Sequence, residues 1–379
     1  MIDLDHTQWR RQRLDRDRAG SPGRCVDDVA GLYGTAPTCY LSCAARIDGF
    51  AASDLDRALF EERSLVRRRA LRGSQFMMPV DLLDVAACAP DRRRASAEKW
   101  VLSMIDAPRL SDLVDGVVSA LSGVNLTVRQ LRQELDLDGV DAAALKYVIA
   151  VMEERRLICV TTVTGGWRSN QYRYGLWDDW LPKHPPRNVD GAAARATLAG
   201  WYLRGHGPAT ADDFRWWSGF TKRGAVAALD DAGAVVVATP RGSLFDLPDA
   251  PGTSAPPAGL RLLPVWDTAV VTQKERRRMV PEVEYRRTYD PSGNATSMIA
   301  HEGKVVGIWD RQGDDDRFVV KAAPFTEFDE ATWELIEAEA AMIAAAVGAG
   351  TVDVARRRAP IDLHERYPAE RNRFLSPLG

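Results

Sequence analysis

Leu126-Thr127-Val128-Arg129-Gln130-Leu131 opens a short helix, and Asp141 to Arg156 reads as a longer one. Leu157-Ile158-Cys159-Val160-Thr161-Thr162-Val163 and Asn170-Gln171-Tyr172-Arg173-Tyr174 follow as two β-rich runs around the turn Gly165-Gly166. Helix, turn, helix, hairpin is the winged-helix order. The pattern recurs upstream. Val26 to Arg46 carries apolar residues at helical spacing, broken at Gly34 and Pro37. Ser53 offers an N-cap for a helix to Arg63, and Leu65 to Pro79 is β-like. It recurs downstream too, with a helix over Ala194–Arg204 and a second one capped by Thr210 with Asp213 at the capping-box position. A third helix starts near Lys222-Arg223, and Ala234–Ala238 and Ser243–Leu247 form a hairpin around Pro240-Arg241-Gly242.

These repeats predict an α+β chain of tandem winged-helix units. Winged-helix units span 1–90, 91–185 and 190–250, and a β domain with a packed C-terminal helix spans 258–379. Pro182 to Pro186 is a stiff linker, and Asp249 to Gly259 a flexible one. Strands are expected over Leu260–Trp266, Ala295–His301, Lys304–Asp310 and Arg317–Ala322, with a tight turn at Glu302-Gly303 and a helix over Asp329–Val347. The tail from Arg356 reads as partly extended.

With 379 residues, 45% hydrophobic and 27% charged, the chain has the profile of a multidomain globular protein. No apolar run is long enough to span a bilayer, and Met1 to Arg18 has no apolar signal-peptide core, so a cytoplasmic monomer is expected. The five cysteines form no CxxC pair, and His6, His184, His206, His301 and His364 are scattered, which speaks against a structural metal or a disulfide framework. No cofactor is expected: Walker-type loops, dinucleotide fingerprints and Gly-x-Ser-x-Gly elbows are missing from the sequence.

The net charge of −3 argues against a general DNA-coating protein. The arginine runs 67–69, 92–94, 276–278 and 356–358 leave room for a basic groove, although such runs also follow from a GC-rich coding sequence.

Several stretches resemble one family. Gly31-Leu32-Tyr33-Gly34-Thr35-Ala36-Pro37, with Tyr40-Leu41-Ser42 and Ala45-Arg46, is similar to the first signature of the winged-helix DNA glycosylases. Leu71-Arg72-Gly73-Ser74 is similar to their second, and Tyr202 to Thr210 with Asp213-Phe214 and Trp216-Trp217-Ser218-Gly219 to their third. Leu262-Leu263-Pro264, Asp267, the Lys274–Arg278 run, Asp290–Asn294 and Gly303–Trp309 resemble the family's C-terminal β domain.

The resemblance implies repair of bulky alkylpurines and interstrand crosslinks, or self-resistance in an antibiotic producer. The resemblance also implies a C-shaped clamp whose partner is double-stranded DNA, with or without a bulky adduct. Active relatives carry Gln-x-Gln or Gln-x-Asp where this chain has Tyr33-Gly34-Thr35. Tyr33 and Thr35 are therefore the candidate catalytic pair, holding water by hydroxyls instead of carbonyl oxygens. Many relatives also place a histidine where Phe76 stands.

Candidate DNA contacts are Arg46, Arg69, Arg72, Ser74, Gln75, Lys222 and Arg223, with an internal ion pair as the competing role for Arg46 and Arg72. Trp216 and Trp217 read as core, with intercalation or base stacking by one of them as the alternative. Asp267 reads as a turn or ion-pair residue, with a catalytic carboxylate as the alternative. Two other functions fit the altered motif: a non-catalytic protein that binds DNA or the adduct, or a fold recruited to small-molecule chemistry.

Overall fold

The computed structural model describes residues 4–69, 71, 74–88, 97–240, 242–250, 256–314, 316–358 and 378. Strands β1 (Leu32–Tyr33), β2 (Leu65–Arg69) and β3 (Gln75–Pro79) form an antiparallel sheet in the order β1-β3-β2. Gly31, at φ 89°, lets the chain enter β1 directly beneath the Phe76 ring, where a Cβ would lie 2.1 Å from a ring carbon. Phe76 is thus a core residue, with Tyr33 and Trp217 packed edge-on against it at 5.8 and 6.5 Å.

The helix expected to run from Ser53 is shorter and capped differently. It spans Ala52–Asp56 and widens into a π-turn over Arg57–Glu61. The Asp54 carboxylate accepts the Ala51 N–H at 2.9 Å, so the cap comes from inside the first turn, not from Ser53.

The second segment contains the helices Val128–Glu134 and Gly139–Glu154, then the antiparallel sheet β4 (Leu126–Thr127), β6 (Gln171–Leu176), β5 (Ile158–Thr164). The longer helix starts and stops two residues earlier than the sequence pattern suggested; Asp138 precedes it and Arg156 turns out of it at φ 56°. The third segment contains the helices Gly191–His206, Ala211–Ser218 and Lys222–Asp231, and the hairpin β7 (Val235–Thr239) with β8 (Gly242–Asp246). Arg241 at the expected turn, the Arg92-Arg93-Arg94 run and most of the tail lie outside the described residues. Thr210 caps its helix as expected: its hydroxyl accepts the Asp213 N–H, and the Asp213 carboxylate accepts the Thr210 N–H.

A five-stranded sheet closes the chain: β9 (Leu260–Leu263), β10 (Met298–His301), β11 (Lys304–Gln312), β12 (Arg317–Pro324) and β13 (Thr351–Arg356), in the order β13-β12-β11-β10-β9. The first of these strands stops at Leu263, ahead of Pro264, short of the expected Trp266. β13 was not legible in the sequence. It is an edge strand, mostly exposed, so apolar alternation is weak. It pairs parallel with β12, and the helix Glu330–Ala346 makes the crossover such a pair requires.

The cores cross the segment boundaries. Ala19, Tyr40 and Leu59 share one apolar cluster with Leu262, Trp309 and Ile336, while Ala30, Phe76 and Met78 share another with Trp201 and Trp217. Gly205 makes the second contact possible, since a Cβ there would lie 2.8 Å from the Val29 backbone.

The first segment meets the final domain through a buried ion pair. Arg46 donates to both Asp267 oxygens at 2.8 and 2.6 Å, and both side chains are fully buried. Ser42 Oγ donates to the same carboxylate at 2.8 Å, Arg46 Nε donates to the Gln12 carbonyl, and the Ala269 N–H completes the set.

Removing one partner strands a buried charge. Asp267→Ala is expected to lower stability by about 3–5 kcal/mol in equilibrium urea unfolding, with much of the loss recovered when Arg46→Met is added. A loss below roughly 1 kcal/mol, the value for an exposed pair, would contradict this account.

Candidate active site

Between the first sheet and the final domain lies a cleft of about 380 Å³. Tyr33, Thr35, Arg69, Ser74 and Gln75, all singled out in the sequence, line it together. Strand pairing explains their convergence: Tyr33 lies opposite Phe76, the Gly34 N–H donates to the Gln75 carbonyl at 3.0 Å, and Arg69 lies opposite Gln75. Two buried side-chain oxygens on this wall, Thr35 Oγ1 and Gln75 Oε1, have no hydrogen-bond partner among the described residues. Both belong to side chains that line the cleft, and each is a hydrogen-bond acceptor.

The opposite wall was not found from the sequence as a site. Trp266 adopts φ 57°, a conformation that non-glycine residues rarely take, and stacks toward Tyr33 at 6.5 Å between ring centres. Its indole N–H donates to Asn294 Oδ1 at 3.2 Å, and Asn294 is held in turn by Asp290. Trp216 also lines the cleft, its N–H donating to the Val271 carbonyl, whereas Trp217 is core as expected. Arg276 lies over Trp216 and Tyr289, at 5.2 and 4.4 Å from the ring centres, and donates to the Gly293 carbonyl. Asp213 sets that segment in place by accepting the backbone N–H groups of Lys274 and Glu275.

The other expected contacts fall elsewhere. Arg46 is corrected: fully buried on Asp267, it cannot reach a phosphate, and its cation holds two segments together. Asp267 takes the ion-pair role expected for it, buried on Arg46 and capping the helix Thr268–Val271. Lys222 and Arg223 are exposed in the first turn of their helix and do not line the cleft. Arg72 lies outside the described residues. The arginine runs divide by burial. Arg67 and Arg68 are buried, with Arg67 over the Tyr172 ring at 5.2 Å, so only Arg69 of that run reaches the cleft. Arg278 is buried and donates to the Pro208 carbonyl, and Arg277 pairs with Glu275 and Glu282. No group of histidine, cysteine and carboxylate side chains among the described residues could hold a metal ion.

The model for the DNA glycosylase AlkZ-like family matches residues 27–346. The chain belongs to this family of DNA glycosylases and hydrolyses the N-glycosidic bond in alkylated DNA. Its fold is that of the DNA glycosylase AlkZ of Streptomyces sahachiroi, with a TM-score of 0.72 over 94% of this chain and 98% of that one at 20% identity. No curated protein matches it in sequence. No helix among the described residues is long and apolar enough to cross a membrane.

Arg69 approaches the cleft with a partner behind it. Glu153, buried at the end of the helix Gly139–Glu154, places Oε2 3.7 Å from Arg69 Nε. Burial pushes its carboxyl from 4.5 to about 7, against the pull of Arg69 and Arg68. The folded state then keeps this proton to higher pH than the unfolded state does. Its contribution to stability is complete below about pH 4.5 and is lost as pH rises through 7. Gln cannot ionise, so the stability of Glu153→Gln relative to wild type is expected to rise by about 3 kcal/mol between pH 4 and pH 8. Urea titrations across that range check it, and a difference that stays flat would contradict the assignment.

Proposed function

We propose that the chain is a monofunctional DNA glycosylase that releases bulky N7-alkylated purines from duplex DNA, in repair or in self-resistance to a DNA-alkylating natural product. The observation that carries the reading is the convergence of Tyr33, Thr35, Arg69 and Gln75 on one cleft in a chain of the DNA glycosylase family. An N7-alkylated purine is already cationic. It leaves as a neutral base when the C1′–N9 bond breaks and takes that electron pair. Water adds its oxygen to C1′ and loses a proton to solvent through the side chains that hold it.

Thr35 and Gln75 hold that water, and the Gln75 carbonyl oxygen faces the positive charge growing on the sugar. Gln75 thereby supplies the carbonyl that relatives carry at the positions of Tyr33 and Thr35. Tyr33 and Trp266 flank the base, while Arg69, with Ser74, contacts phosphate. No lysine lines the described cleft, which fits hydrolysis by water and not through a Schiff base.

Around this cleft we read segments 1–90, 91–185 and 190–250 as winged-helix units and 258–379 as the β domain, a C-shaped monomer on a DNA duplex in the cytoplasm. Helices followed by a short antiparallel sheet in each of the first three segments support this reading. Lys222 and Arg223 extend the phosphate contacts outside the cleft, and Arg72 is assigned to phosphate from its place in the sequence motif alone.

Thr35→Ala and Gln75→Leu are each expected to slow release of N7-methylguanine from duplex DNA at least tenfold in single-turnover assays, a loss of about 2–4 kcal/mol of transition-state stabilisation. Unmodified duplex should bind both variants as wild type does. Unchanged release in both would remove the water-holding role. Sodium borohydride should trap no covalent complex.

A further inference from the structure

A second cavity, of about 530 Å³, lies directly behind the first. The two cavities share Thr35 and Trp266 as lining residues, so they adjoin at these two side chains. The second chamber differs in character. Pro37, Leu41, Pro264, Val265 and Trp309 give it an apolar lining. Asp310, Arg311 and Asn170 add polar groups to it. Its volume is that of a site for a drug-sized ligand.

Its walls are fixed. Asn170 Oδ1 accepts the Ala36 N–H and its amide donates to the Ala36 carbonyl, both at 2.8 Å. Thr38 Oγ1 donates to the Val265 carbonyl at 3.0 Å, and Trp309 Nε1 donates to the Leu263 carbonyl at 2.8 Å. An apolar space of this size held open by hydrogen bonds from three segments is kept at the cost of unburied apolar surface. Nothing in hydrolysis of the glycosidic bond uses it.

We infer that this chamber receives the substituent of the alkylated purine: an uncharged, ring-bearing apolar group, threaded past Thr35 and Trp266 while the purine occupies the first cleft. The inference rests on the proposed function and names its substrate class. Trp266, held at φ 57° and braced by Asn294, lines both cavities and offers its apolar indole where they meet.

The test uses fluorescein-labelled duplexes carrying one N7-methylguanine or one N7-benzylguanine, each on a 2′-fluoroarabino sugar that resists cleavage. Affinities are read by fluorescence anisotropy. Wild type is expected to bind the benzyl duplex at least tenfold more tightly than the methyl duplex. Val265→Phe fills the chamber and should bring that ratio to within twofold of one. Ser297 also lines the chamber, so Ser297→Leu should do the same, and either variant serves if the other does not fold by thermal melting. Val265→Ala should keep the ratio above fivefold.

A wild-type ratio near one, or a ratio that survives both filling substitutions, overturns the inference. Base release from the same adducts on ordinary deoxyribose is followed in parallel. No release with the binding ratio intact would overturn the hydrolytic reading and leave the chamber standing. Release of both bases with no binding preference would do the reverse.

Discussion

The Arg46–Asp267 pair is the constraint on which the cleft depends. Two opposite charges with no solvent exposure contribute little net stability, because desolvation offsets most of their attraction. What they supply is position. Arg46 also holds the Gln12 and Ser42 carbonyls, and Asp267 also caps the helix Thr268–Val271. The first segment and the final domain can therefore meet in one register only, since any slip strands a charge or an N–H. The residue before Asp267 is Trp266, and its left-handed backbone turns the indole toward Tyr33. The ion pair thus sets the width of the cleft without touching it.

Asp213 does the same on the other side. It is a capping residue by sequence and a tertiary connector by structure, because its second oxygen takes two backbone N–H groups from Lys274 and Glu275. That fixes the turn segment leading to Arg276. The cleft accordingly has no owner among the segments. One wall is the first sheet, another comes from Trp216 in the third segment, and the rest are loops of the final domain, with Asn170 of the second segment pinned to the backbone next to Thr35. Shared apolar clusters across the same boundaries keep these loops from drifting.

Much of the fold was legible because its signals are local. Capping at Thr210, the hairpin after Leu157 and the turn at Glu302-Gly303 each follow from a few neighbouring residues. The polar wall of the cleft was legible because Tyr33, Thr35, Ser74 and Gln75 lie at the facing ends of paired strands. Residue type alone misled at Arg46, since a guanidinium suits a phosphate and a buried aspartate equally well, and only burial separates the two. Trp266, Trp216 and Arg276 were illegible as a wall because each reaches the cleft through long-range packing. β13 escaped because an exposed edge strand leaves little apolar pattern.

The backbone bond from Gly34 to the Gln75 carbonyl has an evolutionary consequence. Position 75 lies on β3 and position 35 in the bend that follows β1, and both residues line one cavity. The tie between them involves neither side chain. A polar group can therefore be moved from one position to the other by substitution without loosening the backbone that holds both at the cavity.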